Sequence, residues 1–185
     1  MKFEVATFGN PVLRVRASPV DRVTIELKRL VDDMLETMYG YNGLGLAAQQ
    51  IGQTMAVCVI DVPVQLDVEG ENGPRLNPGL AMPLVMINPT IVTPGRERER
   101  VDEGCLSFPG IHCSVQRVTH LTVAFTDLKG NRQTLQVHGL VARAVQHELD
   151  HLVGVLLVDR MSPVKKVSLA GQLKRLKAES REKLG

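Results

Sequence analysis

The chain has 185 residues, 44% hydrophobic and 23% charged, which fits one ordinary domain with a sizeable core and has none of the bias of a low-complexity or fibrous protein. Aromatic residues are only 3%, with no Trp, so that core must be built from Val, Leu, Ile and Met; no apolar run approaches the ~20 residues a membrane span needs. The formal charge of +2 is uneven: from Pro163 to Gly185 seven Lys/Arg stand against two Glu, a net of +5, leaving −3 for the first 162 residues.

The opening stretch MKFEVATFG lacks an apolar export core and a cleavage pattern. Three cysteines, Cys58, Cys105 and Cys113, are too sparse and odd in number for a disulfide framework, so a reducing, cytoplasmic setting is expected. Pro11 and Pro19 make residues 11–20 irregular. From Asp21 the pattern turns helical: Leu27, Leu30, Val31, Met34, Leu35 and Met38 fall on one face, with Asp21 or Thr24 to cap the start and Gly40 near the end. Residues 43–50, GLGLAAQQ, follow this helix and read as a turn rather than a phosphate loop. Met55 to Val62 reads as a buried strand. Residues 63–83 hold four Pro and three Gly and read as a loop with freedom to move. Leu84 to Ile87 is a second strand, ended by Asn88-Pro89. Residues 115–137 contain two β-rich runs around a hairpin turn at Asp127–Asn131. Leu140 to Val153 is a helix, and a last amphipathic helix runs from Pro163, tolerated at its first position, to the end. Strands in the middle and helices at three separate places, without regular βαβ alternation, predict an α+β fold. The division is a domain over 1–162 with a basic C-terminal helix, 163–185, belonging to it.

The strongest local signal is His147-Glu-Leu-Asp-His151. On a helix the two imidazoles lie one turn apart on one face and can ligate a single metal, while Glu148, about 100° further round, can reach a water beside it without being a ligand. A catalytic metal of this kind wants a third protein ligand and one open position. Glu179 and Glu182 qualify by separation, as in endopeptidases with a downstream Glu. A third His six residues after the motif is excluded, because that position is Leu157. Cys105, beside Gly104, is the better candidate, since a thiolate binds zinc or ferrous iron well. A non-catalytic metal-binding module is the remaining alternative.

Three segments together, Gly43–Gln50, Glu103–Ser107 and Gln146–His151, resemble the three motifs of the peptide deformylases, in the same order and at similar spacing. The resemblance extends through most of residues 5–162, although 63–83 is longer than usual. It implies mainly antiparallel sheets packed around a central helix bearing the HExxH motif, with a C-terminal helix. It implies one divalent metal held by Cys105, His147 and His151, with Fe²⁺ the working ion and Zn²⁺, Ni²⁺ or Co²⁺ as alternatives. It makes Glu148 the general acid/base, and Gln50 and the Leu106 N–H the stabilisers of the oxyanion. Gly45 and Gly104 would lie along the peptide, and Leu44, Leu140, Arg143 and Ala144 would border the pocket for the first side chain. The implied reaction removes the formyl group from N-formylmethionyl peptides and releases formate.

Further expectations concern residues outside these motifs. Arg117 should pair with Glu103 or Asp150 and so fix the ligand segments. His112, His120 and His138 are assigned surface or structural roles. On the last helix, Val164, Val167, Leu169, Leu173, Leu176 and Leu184 would dock on the domain. Its basic residues would face outward and touch ribosomal RNA weakly, and activity on a free formyl-Met tripeptide should survive removal of residues 165–185 if the domain still folds.

Overall fold

In the computed structural model, residues 3–71 and 73–184 are described. The first helix, α1 (Ile25–Gly40), starts where Thr24 places its hydroxyl oxygen to accept from the Leu27 N–H, and buries Leu27, Val31, Met34 and Met38. The strands are β1 (Gly45–Ala47), β2 (Val57–Ile60), β3 (Leu84–Pro94), β4 (Arg98–Gly104), β5 (His112–Val118), β6 (His120–Thr126) and β7 (Arg132–His138). The remaining helices are α2 (Gly139–Leu152), α3 (Leu157–Arg160), α4 (Pro163–Ser168) and α5 (Ala170–Glu182). Five strands form one antiparallel sheet in the order β1-β2-β3-β6-β7, and β4 pairs with β5 in a second sheet. The α+β class, the antiparallel sheets and the C-terminal helix all agree with the sequence reading.

β2 explains why VCVI carries no polar residue: alternate side chains point to opposite faces, and both faces are covered. Cys58 and Ile60 join the cluster with Val141, Ala142 and Val145 of α2, while Val57 and Val59 pack with Val31 and Met34 of α1. The sheet is therefore gripped between the two helices. A third cluster joins Phe108, Ile111, Cys113 and Val115 to Leu173 and Leu176 of α5.

Several local expectations are corrected. Residues 43–50 are not merely a turn: Gly45–Ala47 is an edge strand paired with β2, followed by a 3₁₀ turn at Ala48–Ile51. Asn88-Pro89 does not end β3; a register shift there absorbs the proline, and Asn88, at φ +51, uses its amide to accept from Val20 N–H and donate to Val20 C=O. Residues 112–138 hold three strands, with Thr119 between β5 and β6. The described part of 63–83 is tied down: buried Asp67 accepts from Arg75 and Asn77, and Asn77 bonds both backbone groups of His138. The terminal helix breaks into α4 and α5, and Val164 and Val167 are 80% and 77% exposed rather than docked. Leu173 and Leu176 do dock, and Leu184 is exposed.

Candidate metal centre and active site

α2 begins at Gly139, whose φ of +56 suits the sharp exit from β7 and whose missing Cβ makes room for Leu76. Helical spacing then sends Leu140, Ala144, His147, Glu148 and His151 down adjoining faces of its wall. Cys105 arrives from the end of β4, with its Sγ 3.3 Å from His151 Nε2. The ligating atoms of Cys105, His147 and His151 all lie within 4.8 Å of one another. The two imidazole centroids are 5.1 Å apart, edge-on. All three cysteines are free.

Around this cluster runs a charge network. His147 Nδ1 is 3.1 Å from Glu103 Oε2. Arg117 donates to both oxygens of Glu103 at 3.0 Å and to Asp150 at 2.6 Å, so the expected pairing is with both carboxylates. Arg143 adds a bond to Glu103 at 2.7 Å and one to the Val115 carbonyl at 3.1 Å. Burial alone would raise the Glu103 carboxyl, but hydrogen bonds from His147 and Arg117 outweigh it and hold its pKa well below the usual range. Burial also opposes a charge on His147, yet Cys105 and Glu103 hold its pKa above the ordinary value. On His151 burial, reinforced by His147 and Arg117, favours the neutral ring.

Glu148 is 3% exposed, and its Oε2 has no hydrogen-bond partner among the described residues. Burial lifts its carboxyl to about 7, against the pull of His147 and Arg117. A Cβ at Gly45 would collide with Glu148 Oε1, so the close approach of β1 to α2 requires glycine there. Gln50, 1% exposed, accepts from the Ala47 N–H at 2.8 Å, donates to Ser107 Oγ at 3.2 Å and sits 3.7 Å from Cys105 Sγ.

These groups open into a cavity of about 690 Å³. Every residue expected at the site lines it except His151, which is buried behind. Arg143 lines the wall, but its guanidinium is committed to Glu103 and Val115. The sequence reading missed the N-terminal wall of Glu4, Val5 and Thr7, and the approach of Lys183 to it; no periodicity marks that segment. His112 also lines the cavity, its ring so close over Gly104 that a Cβ there would stand 2.7 Å from Cε1; its assignment to a surface or structural role is thus incomplete. Glu179 and Glu182 are exposed on α5 and outside the ligand cluster. No helix among the described residues is long and apolar enough to cross a membrane.

Two histidines and a glutamate on one helix, with a thiol beside them and a cavity in front, define the class of single-metal HExxH hydrolases. The particular family follows from comparison with known proteins. A family profile described as polypeptide deformylase matches residues 2–167. The peptide deformylase of Endomicrobium trichonymphae is 40% identical over 176 residues, covering 95% of this chain and 96% of that protein. That of Rhizobium meliloti is 43% identical over 157 residues, covering 85% and 83%. The crystal structure of peptide deformylase from Thermotoga maritima matches with a TM-score of 0.76 at 39% identity, covering 88% of this chain and 99% of that one. The structure from Synechococcus elongatus, in complex with actinonin, matches at 0.79 and 38% identity, covering 92% and 87%. The chain belongs to the polypeptide deformylase family, metal-dependent hydrolases that remove the formyl group from new peptides.

Proposed function

We propose that Cys105, His147 and His151 hold one divalent ion and that the chain hydrolyses the formyl amide of N-formylmethionyl peptides in the cytoplasm, releasing formate. The observation that carries this is the meeting of three donor atoms within 4.8 Å beside a cavity. The donor set fits a divalent ion of borderline softness: one thiol, one imidazole favoured neutral by burial, and one whose Nδ1 is taken by Glu103, leaving Nε2 for the ion. Fe²⁺ is the ion we assign, and Zn²⁺, Co²⁺ or Ni²⁺ suit the same donors. When bound, such an ion supplies Lewis acidity, making a water acidic near neutral pH and polarising a carbonyl.

The chain's own groups do the rest. Glu148, buried at the cavity wall with one oxygen unengaged, takes a proton from the attacking water and returns it to the departing amine nitrogen. Gln50 has its carbonyl oxygen fixed by the Ala47 N–H, so its amide is already aimed; it donates to Ser107 Oγ and, at 3.7 Å, toward Cys105 Sγ, which puts it beside the donor cluster, where together with the Leu106 N–H it would steady the developing oxyanion. Gly45 and Gly104 let the peptide backbone approach, and Leu44, Leu140, Ala144 and the Arg143 side chain border the space for methionine. The reading is tested by formate release from a formyl-Met tripeptide, with metal content measured on the same anaerobic sample. A metal-replete protein that releases none overturns it, and Cys105→Ser with full metal content overturns the ligand set.

The outward basic face of α5 supports a weak, phosphate-directed contact with the ribosome.

A further inference from the structure

α5 also reaches the reaction from the inside of the molecule. Ser180, on its docked face, is only 3% exposed and donates its hydroxyl to the Thr7 carbonyl at 3.0 Å. One turn earlier the helix backbone lies against Gly9: a Cβ at Gly9, which has φ +120, would stand 2.8 Å from the Lys177 carbonyl oxygen. The segment thus clamped supplies two backbone bonds to the site. Ala6 N–H donates to the Gln50 carbonyl at 2.7 Å, and Phe8 N–H donates to the Ser107 carbonyl at 2.9 Å. Phe8 also stacks on Phe108, centroids 5.0 Å apart. Residues 6–8 therefore staple together the two stretches whose side chains meet as Gln50 Nε2 and Ser107 Oγ.

We propose that Ser180 is a positioning residue: through Thr7 it holds the staple that sets the separation of Gln50 and Ser107, and so the aim of the Gln50 amide. This rests on the reading that Gln50 steadies the oxyanion. A 1 Å error in such a group costs far more in rate than in binding, because the interaction forms fully only in the transition state.

The test is a cycle of Gln50→Ala, Ser180→Ala and the double variant, each as the full-length, metal-loaded protein on a formyl-Met tripeptide. Gln50→Ala should lose ~10²–10³ in kcat, the scale of one oxyanion donor. Ser180→Ala should lose about 3- to 10-fold in kcat, the scale of a weakened hydrogen bond, with KM and metal content unchanged. The double variant should be no slower than Gln50→Ala, since a residue acting through Gln50 has nothing left to act on. Losses that multiply in the double variant, or an unchanged kcat in Ser180→Ala, overturn the inference while leaving the role of Gln50 intact. An unchanged kcat in Gln50→Ala overturns both. Should Ser180→Ala fail to fold, Ser180→Cys, of similar volume and with a weaker donor, carries the same cycle.

Discussion

Glu148 is buried, has an oxygen without a partner, and stands outside the cluster of three donors. Its replacement should separate chemistry from metal binding: Glu148→Ala is expected to keep its metal and its fold and to lose ~10²–10⁴ in rate. Metal analysis beside steady-state kinetics checks this, and loss of the ion would make Glu148 a ligand. Gly45 offers a finer probe, because a Cβ there meets Glu148 Oε1 directly. Gly45→Ala should displace that carboxylate and cost ~10² in kcat, the scale of a misplaced reacting group, with metal content unchanged. At this scale the sequence was most legible where spacing itself carries the chemistry. His147 and His151 are four residues apart, and helix geometry makes them neighbours without further information. Ser180 and Thr7 are 173 residues apart, and a serine among lysines on an amphipathic helix has nothing local to mark it.

Arg117 is the hub that ties three elements together: β4 through Glu103, α2 through Asp150, and its own strand β5. All three side chains are largely buried, at 5%, 5% and 13% exposure, so removing the cation takes one of two arginines from each carboxylate, leaving Arg143 on Glu103 and Arg160 on Asp150. Arg117→Met is expected to destabilise the fold by ~1–3 kcal/mol, the range for leaving buried acceptors short of a partner, because Arg143 and Arg160 still neutralise the two carboxylates; denaturant unfolding measures it. Because Glu103 also holds His147 Nδ1, metal affinity should fall ~10–100-fold, read by competition with a chelator. Unchanged affinity would mean that the network serves stability alone. Elements themselves were unevenly readable. α1 and α2 showed their period, and β2 its apolar run. β4, RERVDEG, hid itself because it is one of only two strands in its sheet and presents mostly exposed residues; its one buried charge, Glu103, is inside because Arg117 and Arg143 meet it there. β3 read as ended at Asn88-Pro89 because a bulge that accommodates proline depends on a partner, the Val20 backbone, far away in sequence.

Across the whole molecule, α5 has two faces with separate expectations. Lys174 and Arg175 are exposed. Reversing both, Lys174→Glu with Arg175→Glu, should weaken co-sedimentation with ribosomes and flatten its dependence on salt, while formate release from a free tripeptide stays at the parent rate. Binding that is insensitive to salt, or unaltered by the reversal, would remove the contact. The sequence reading expected activity on a free formyl-Met tripeptide to survive removal of residues 165–185 provided the domain still folds. The bonds from Ser180 to Thr7 and onward to Gln50 argue for point changes rather than truncation, since deleting α5 would release the staple together with the charges.

That staple also sets an order of events. Synthesis proceeds from Thr7 toward Ser180, so the segment forming one wall of the cavity must wait for a helix made 173 residues later. Closing so long a loop comes late for entropic reasons as well. The helix that carries both histidines can be complete well before the mouth in front of it. A copy made only as far as Leu152 thus has its metal-binding residues before it has the helix that clamps the N-terminal wall, and on the proposed role of Ser180 full activity waits until the two ends of the fold have met.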